Sequence, residues 1–244
     1  MAHYPMTSQD KYEVKKAHFF ILWVLCILGA WSVLPYVQHL GLVPSSVSSL
    51  KIFLLSTVQA SLLFGLVCWL SYLVVPKTDL IPFPIDRSLQ RDIFPGVIAG
   101  LLVGVALYLL DGALFSSSLL SGKHPPVWIG LLASFYGAIN EEVLLRLFLF
   151  TTVYFLLKKI FKLQPQNRLL ILWITNVIVA IIFGLGHLPA AFKLISPSSL
   201  DVFRILLLNG IPGVVFGWLY WTRGLLAAMT AHFVTDVVIH AVLI

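Results

Sequence analysis

Charge is what this sequence has least of. Asp, Glu, Lys and Arg make up 11% of its 244 residues, against about a quarter in a soluble globular domain. Apolar residues reach 59% and the mean hydropathy is +0.97, which excludes a soluble domain. Cysteine is nearly absent. Cys26 and Cys68 both fall inside apolar runs, so no disulfide framework or zinc ribbon is available, and both read as small buried hydrophobes. A phosphate-cradling glycine loop, a soluble catalytic-triad motif, an internal repeat and a low-complexity tract are also missing. So are the short alternating segments of a membrane β-barrel. Of the two structures that satisfy backbone hydrogen bonding in lipid, an all-α polytopic transmembrane helix bundle remains.

The formal charge of +6 does not indicate nucleic-acid binding. The basic residues lie mostly in short connections between apolar runs, as the positive-inside rule expects, so the lipid bilayer is the expected partner. A span needs roughly 20 apolar residues. Seven candidates follow the polar tail 1–16, at about 17–41, 51–75, 93–119, 126–160, 168–190, 201–221 and 224–243. Residues 17–244 thus form one membrane domain. The first apolar stretch is too long for a signal-peptide core and has no small-residue cleavage site nearby, so it reads as a retained helix.

Lys11, Lys15 and Lys16 in the tail, the linker 76–92 (with Lys77, Asp79, Pro84, Asp86, Arg87, Arg91 and Asp92), and Lys158, Lys159, Lys162 and Arg168 form one basic set, joined by Arg223. The alternate connections carry only Lys51, Lys123, Lys193 and Arg204. This bias predicts a cytoplasmic N-terminus and a C-terminus on the outside; the expected location is the plasma membrane of a prokaryote. The fourth run is too long for an untilted helix, so it tilts or is divided, with an eighth element at 126–137.

Ionisable groups at bilayer depth are costly and mark functional sites. The fourth run carries Glu141, Glu142 and Arg146. Glu142 and Arg146, at i,i+4, share a helix face and can pair. That leaves Glu141 about 100° round an ordinary helix, without a partner and suited to work as a general base. The fifth run carries Phe183, Gly184, Gly186 and His187 before Pro189. The seventh carries His232 and Asp236 at i,i+4, with His240 on the same stripe as a structural residue. Asp111, Asn176 and the Asn209–Gly213 stretch are further polar or helix-disturbing features. The last of these predicts a kinked or broken helix.

Glu-Glu-x-x-x-Arg, Phe-x-x-x-His and His-x-x-x-Asp, in that order on successive polar-bearing spans, resemble the CAAX protease and bacteriocin-processing family, the type II CAAX prenyl endopeptidases and their relatives. The resemblance covers about residues 126–240. It implies a bundle of seven to eight helices around a polar intramembrane cavity, and an intramembrane endopeptidase acting on a membrane-associated peptide or protein. Glu141 then corresponds to the base that activates water, assisted by His187. His232 and Asp236 correspond to the pair that stabilises the oxyanion, and Glu142, Arg146 and Phe183 support them. Asp236 stands where many members have asparagine, and Leu147 where many have glycine. No cofactor is expected.

Zinc held by Glu141, His187 and His232 is the alternative, although the His-x-x-x-His pair of a typical zinc protease is absent. A non-catalytic immunity or regulatory protein on the same scaffold and a proton-coupled transporter are the other readings. For His187 to reach the depth of Glu141, the fifth helix must enter late and continue past Pro189 toward Ile195, or break at Gly184–Gly186.

Overall fold

The computed structural model describes residues 16–83, 89–115, 125–161 and 164–242. Lys11, Lys15, Pro84, Asp86, Arg87, Lys123 and Lys162 lie outside these residues. All elements among the described residues are helical: α1 (Lys16–Ser32), α2 (Leu34–His39), α3 (Ser49–Val74), α4 (Leu89–Leu114), α5 (Val127–Tyr136), α6 (Thr151–Ile160), α7 (Arg168–Leu194), α8 (Ser199–Arg223) and α9 (Leu225–Val237). Five helical segments are long and apolar enough to cross a bilayer, and Leu225–His240 is a shorter apolar one. Together they make an all-α helical membrane bundle.

Local chemistry sets the helix ends. Pro35 near the start of α2 separates it from α1. Ser198 and Asp201 form a reciprocal capping box that starts α8, satisfying donors that the first turn leaves open. Gly224, at φ 103°, supplies the turn between α8 and α9, a conformation that favours glycine.

The fourth apolar run is neither divided nor an ordinary helix. Right-handed helical backbone continues from α5 to α6, but it widens into π turns over Gly137–Glu141 and Val143–Phe150. The expected eighth element at 126–137 is therefore α5 leading into the first wide turn. Such turns are rare and concentrate at functional sites. A wider turn advances each residue by a smaller angle, so neighbouring side chains point more nearly the same way. Asn140 anchors the segment, its Nδ2 donating to the Cys26 carbonyl on α1 at 2.8 Å.

Two other expectations about helix continuity are resolved. α7 runs unbroken through Gly184, Gly186 and Pro189 to Leu194. α8 is likewise continuous, with Pro212 inside it, rather than broken at Asn209–Gly213. Asn176 on α7 donates to the Val214 carbonyl of α8 at 2.9 Å, holding the two helices together near that proline.

α9 is the most enclosed helix near the site, with Ala227, Ala228 and Ala231 fully buried. α4 lies against it through Gly96, Gly100 and Gly104. A Cβ at Gly96 or Gly100 would stand 2.7 or 2.6 Å from the carbonyl oxygen of Ala227 or Ala231, and one at Gly104 would stand 2.7 Å from the Val238 Cβ. Small residues permit this close approach, which is how helices pack in lipid without a hydrophobic drive between them. Large apolar side chains such as Leu62, Phe94 and Leu102 remain exposed on the outer surface, where lipid replaces water.

Lys158, Arg168 and Tyr154 converge on Asp79 of the linker. Tyr154 Oη donates at 2.7 Å, Lys158 Nζ at 3.0 Å, and Arg168 Nε also donates. Burial pushes the Asp79 carboxyl up, but these three hydrogen bonds outweigh it and hold the group well below the usual carboxylate range. Asp111 forms a two-point ion pair with Arg204, at 2.6 and 2.5 Å, and so ties α4 to α8.

Candidate functional site

The first motif lies in the wide-turned segment, the second on α7 and the third on α9. Glu142 and Arg146 are fully buried and form the expected i,i+4 pair, Nε to Oε2 at 3.3 Å. The pair is not closed on itself. Glu142 Oε1 also accepts from His232 Nδ1 at 2.8 Å, while Arg146 Nη2 donates to the Gly213 carbonyl at 3.3 Å. A carboxylate at Nδ1 fixes the orientation of an imidazole and leaves Nε2 facing away from it.

His232 Nε2 points to two further carboxyl groups, Glu141 Oε2 at 3.7 Å and Asp236 Oδ2 at 3.6 Å. Glu141 is thus not isolated on another face, as ordinary helix geometry predicts. The wide turn lets both adjacent glutamates address one ring, each at a different nitrogen. These gaps exceed a direct hydrogen bond. Glu141 and Asp236 keep side-chain exposures of 24% and 20%, whereas Glu142 has none. Two carboxyl groups therefore open onto accessible space, and the third is sealed behind the imidazole.

Aromatic rings enclose the histidine. Phe216 stacks on His232 at 4.8 Å, and Phe183 meets it edge-on at 5.8 Å. Phe183 also underlies the Arg146 guanidinium at 5.4 Å and contacts the His187 ring at 4.9 Å. It therefore separates the two histidines. His187 is half-buried, and its Nδ1 donates to the Phe183 carbonyl at 2.9 Å. A carbonyl only accepts, so this bond places the proton on Nδ1 and leaves Nε2 as the open nitrogen. No ion pair joins His187 to Glu141 among the described residues.

Glu141, His187 and His232, the zinc set considered above, do not converge. Among the described residues no three His, Cys, Asp or Glu side chains are placed to hold a metal. His232 Nδ1 is already committed to Glu142, and Phe183 stands between the two imidazoles. This donor set does not fit zinc as it is arranged.

Sequence reasoning passed over Gly137 and Phe216. A Cβ at Gly137 would lie 2.6 Å from Asp236 Oδ2 and 2.9 Å from His232 Nε2. The bare backbone there leaves room for the site. Its place, five residues before Glu142, is one turn of a π helix, a signal visible only once the wide turn is known. Phe216 lay among ordinary aromatic residues of an apolar span. Leu147 is fully buried in the core. His240 packs edge-on against Tyr36 at 5.9 Å, one turn beyond Asp236.

No curated protein and no solved structure matches the chain. Residues 123–238, which span every element of the site, match the Rce1-like family, described as type II CAAX prenyl endopeptidase Rce1-like, the kind of CAAX-type intramembrane protease that the three motifs resemble.

Proposed function

We propose that the protein is an intramembrane endopeptidase in which Glu141 activates water against a peptide carbonyl. One observation carries this reading. His232 is gripped at Nδ1 by a buried carboxylate and turns Nε2 toward Glu141 and Asp236.

In the proposed reaction, Glu141 takes a proton from water as the water oxygen bonds to the carbonyl carbon. The carbonyl π pair moves onto its oxygen. His232 donates from Nε2 to that oxyanion, and to donate from both nitrogens it acts as the imidazolium with Glu142 as counter-ion. Arg146 holds Glu142, and Asp236 orients the imidazole. His187, tied at Nδ1, offers Nε2 to water or substrate from the α7 side. The proton on Glu141 then passes to the leaving amine as the C–N bond breaks, giving a carboxyl and an amino terminus. No metal takes part in this scheme.

The test is cleavage by detergent-solubilised protein of a pool of internally quenched peptides, half carrying an S-prenylated cysteine. Wild type is expected to cleave members of the pool and Glu141→Gln to lose that activity. Equal turnover in both proteins removes Glu141 as the base, and cleavage by neither overturns the reading. Comparison of the two halves of the pool reports whether prenylation matters. Activity that survives exhaustive chelation supports the metal-free scheme, and loss restored by added zinc overturns it. We further place the N-terminus in the cytoplasm of a prokaryotic cell, since Lys16, Lys77, Lys158, Lys159, Arg168 and Arg223 lie at alternate helix ends. A topology reporter active only when fused to the periplasmic side would give no signal at the N-terminus.

A further inference from the structure

Orienting an imidazole takes two restraints. A hydrogen bond at one nitrogen fixes where that atom points, but the ring can still pivot about the bond. Glu142 supplies the first restraint at His232, accepting from Nδ1 at 2.8 Å. Asp236 and Glu141 stand 3.6 and 3.7 Å from Nε2, beyond direct hydrogen-bond distance, and leave the pivot free. Phe216 stops it. Its ring lies nearly parallel to the imidazole, with 26° between the planes and 4.8 Å between the centroids, a separation at which aromatic pairs attract. Phe183 meets the same imidazole edge-on at 5.8 Å.

α8 fixes Phe216 in place. The side chain is buried, and it follows Gly213 within one helical turn. The Gly213 carbonyl accepts from Arg146 Nη2 at 3.3 Å, and the Arg146 guanidinium stands 5.9 Å from the centroid of the Phe216 ring. One turn of α8 therefore meets both basic side chains of the buried line. Glu142 lies between them, 3.3 Å from Arg146 Nε and 2.8 Å from His232 Nδ1. When His232 acts as the imidazolium, this single buried carboxylate is shared by two cations. The negative face of an aromatic ring attracts a cation within about 6 Å, most strongly where water is excluded, and His232 and Phe216 are both buried. A leucine in that place would fill the space and present no such face.

We propose that Phe216 is a positioning residue for His232: its ring fixes the plane of the imidazole and attracts the positive charge that the imidazole carries while Nε2 donates to the oxyanion. The proposal rests on the endopeptidase reading above. Phe216 acts only through His232 and exchanges no proton. With Nδ1 held by Glu142 and the ring plane held by Phe216, the direction of Nε2 is set before substrate arrives. The surroundings divide accordingly. Glu142, Glu141 and Asp236 meet the imidazole at its edge, through its nitrogens, and Phe216 meets it on its face. Arg146, the cation that opposes a second positive charge, stands on the far side of Glu142.

The test uses the full-length protein and the best-cleaved peptide of the pool. The side chain at position 216 is replaced in turn by monofluoro-, difluoro- and trifluorophenylalanine, introduced at an amber codon. Fluorine withdraws charge from the ring face while the shape of the ring hardly changes. The kcat is expected to fall stepwise along the series, by about tenfold at the trifluoro ring, with KM nearly unchanged. Phe216→Leu should lose at least as much. A phosphinic analogue of the peptide, which mimics the tetrahedral intermediate, should lose affinity in parallel with kcat. The same series at Phe150, a fully buried ring packed on Tyr220 and Trp221 rather than on His232, is expected to leave kcat unchanged. A flat kcat along the series at Phe216 overturns the proposal. So does an equal fall at Phe150, or a loss confined to KM, since these mean packing or ground-state binding alone. Rates are read well below the unfolding temperature of every variant, so loss of fold does not enter. Failure of wild type to cleave anything sinks the parent reading. A flat fluorine series in an otherwise active protein sinks only the role of Phe216.

Discussion

Glu142 and His232 stand ninety residues apart in the chain and 2.8 Å apart in the bundle, with Arg146 on the far side of the carboxylate. This line of cation, carboxylate and imidazole is almost wholly removed from solvent. Breaking one member of a buried charge pair strands the other, at about 3–5 kcal/mol. Glu142→Gln is therefore expected to lower stability by that order and to abolish cleavage. Glu142→Gln combined with Arg146→Met should recover most of the stability and none of the activity. Thermal unfolding and peptide cleavage of the same preparations measure the two effects.

Gly137→Ala separates site geometry from stability. The added methyl group meets the ends of the Asp236 and His232 side chains at 2.6 and 2.9 Å. The part-exposed Asp236 carboxyl can swing away and relieve most of the clash, so the fold tolerates the change, but a group beside His232 Nε2 is displaced. A shift of about 1 Å costs roughly 10²-fold in rate. Turnover should fall by that order while the unfolding temperature stays close to wild type. A variant with full activity would show that the contact is not needed.

Gly100→Ala should behave in the opposite way. Its methyl group meets the backbone carbonyl of Ala231 at 2.6 Å, and backbone within a packed helix has nowhere to move. Overpacking of this kind costs about 1–3 kcal/mol. Gly112, with open space around it, is the control, and Gly112→Ala should unfold as wild type does. Paired melting curves in one detergent decide the comparison.

The Asp79 clamp predicts a pH dependence of stability. Its folded carboxyl is held below the ordinary range by Tyr154, Lys158 and Arg168 against the opposing effect of burial. The unfolded state therefore takes up the proton first as the pH falls. The stabilisation is complete above the ordinary carboxylate value of about 3.9. It declines as the pH drops below that value and is gone once the pH passes the lowered one. Asp79→Asn should be less stable than wild type near neutrality, and the gap should narrow in acid. A constant gap would show that the clamp does not titrate in this way.

The helical bundle and the presence of charges within it were legible because each rests on local chemistry. Long apolar runs force helices in lipid, and charges inside them stand out by their cost. Glu142 with Arg146 followed directly from i,i+4 spacing. The orientation of Glu141 did not, because ordinary helical geometry turns it away from Glu142. The wide turn that brings it to His232 accompanies tertiary contacts, among them Asn140 reaching the Cys26 carbonyl, which no local pattern in Gly137–Glu141 announces. The continuity of α7 past Pro189 was one of two openings left by matching depths. Pro212 in α8 signalled a break, yet the helix runs through it, with Asn176 and Arg146 bonding carbonyls just beyond.

The three glycines of α4 act on α9 as the teeth of a rack. They recur every four residues and admit Ala227, Ala231 and the Val238 turn in sequence. A side chain at any of the three would meet α9 at 2.6–2.7 Å, so the close seat of α9 depends on all of them. His232 rides on α9. Its meeting with Glu142, 2.8 Å away, is therefore held by a seat that lies on the opposite side of α9 from the chemistry of the glutamates and is made entirely of missing side chains.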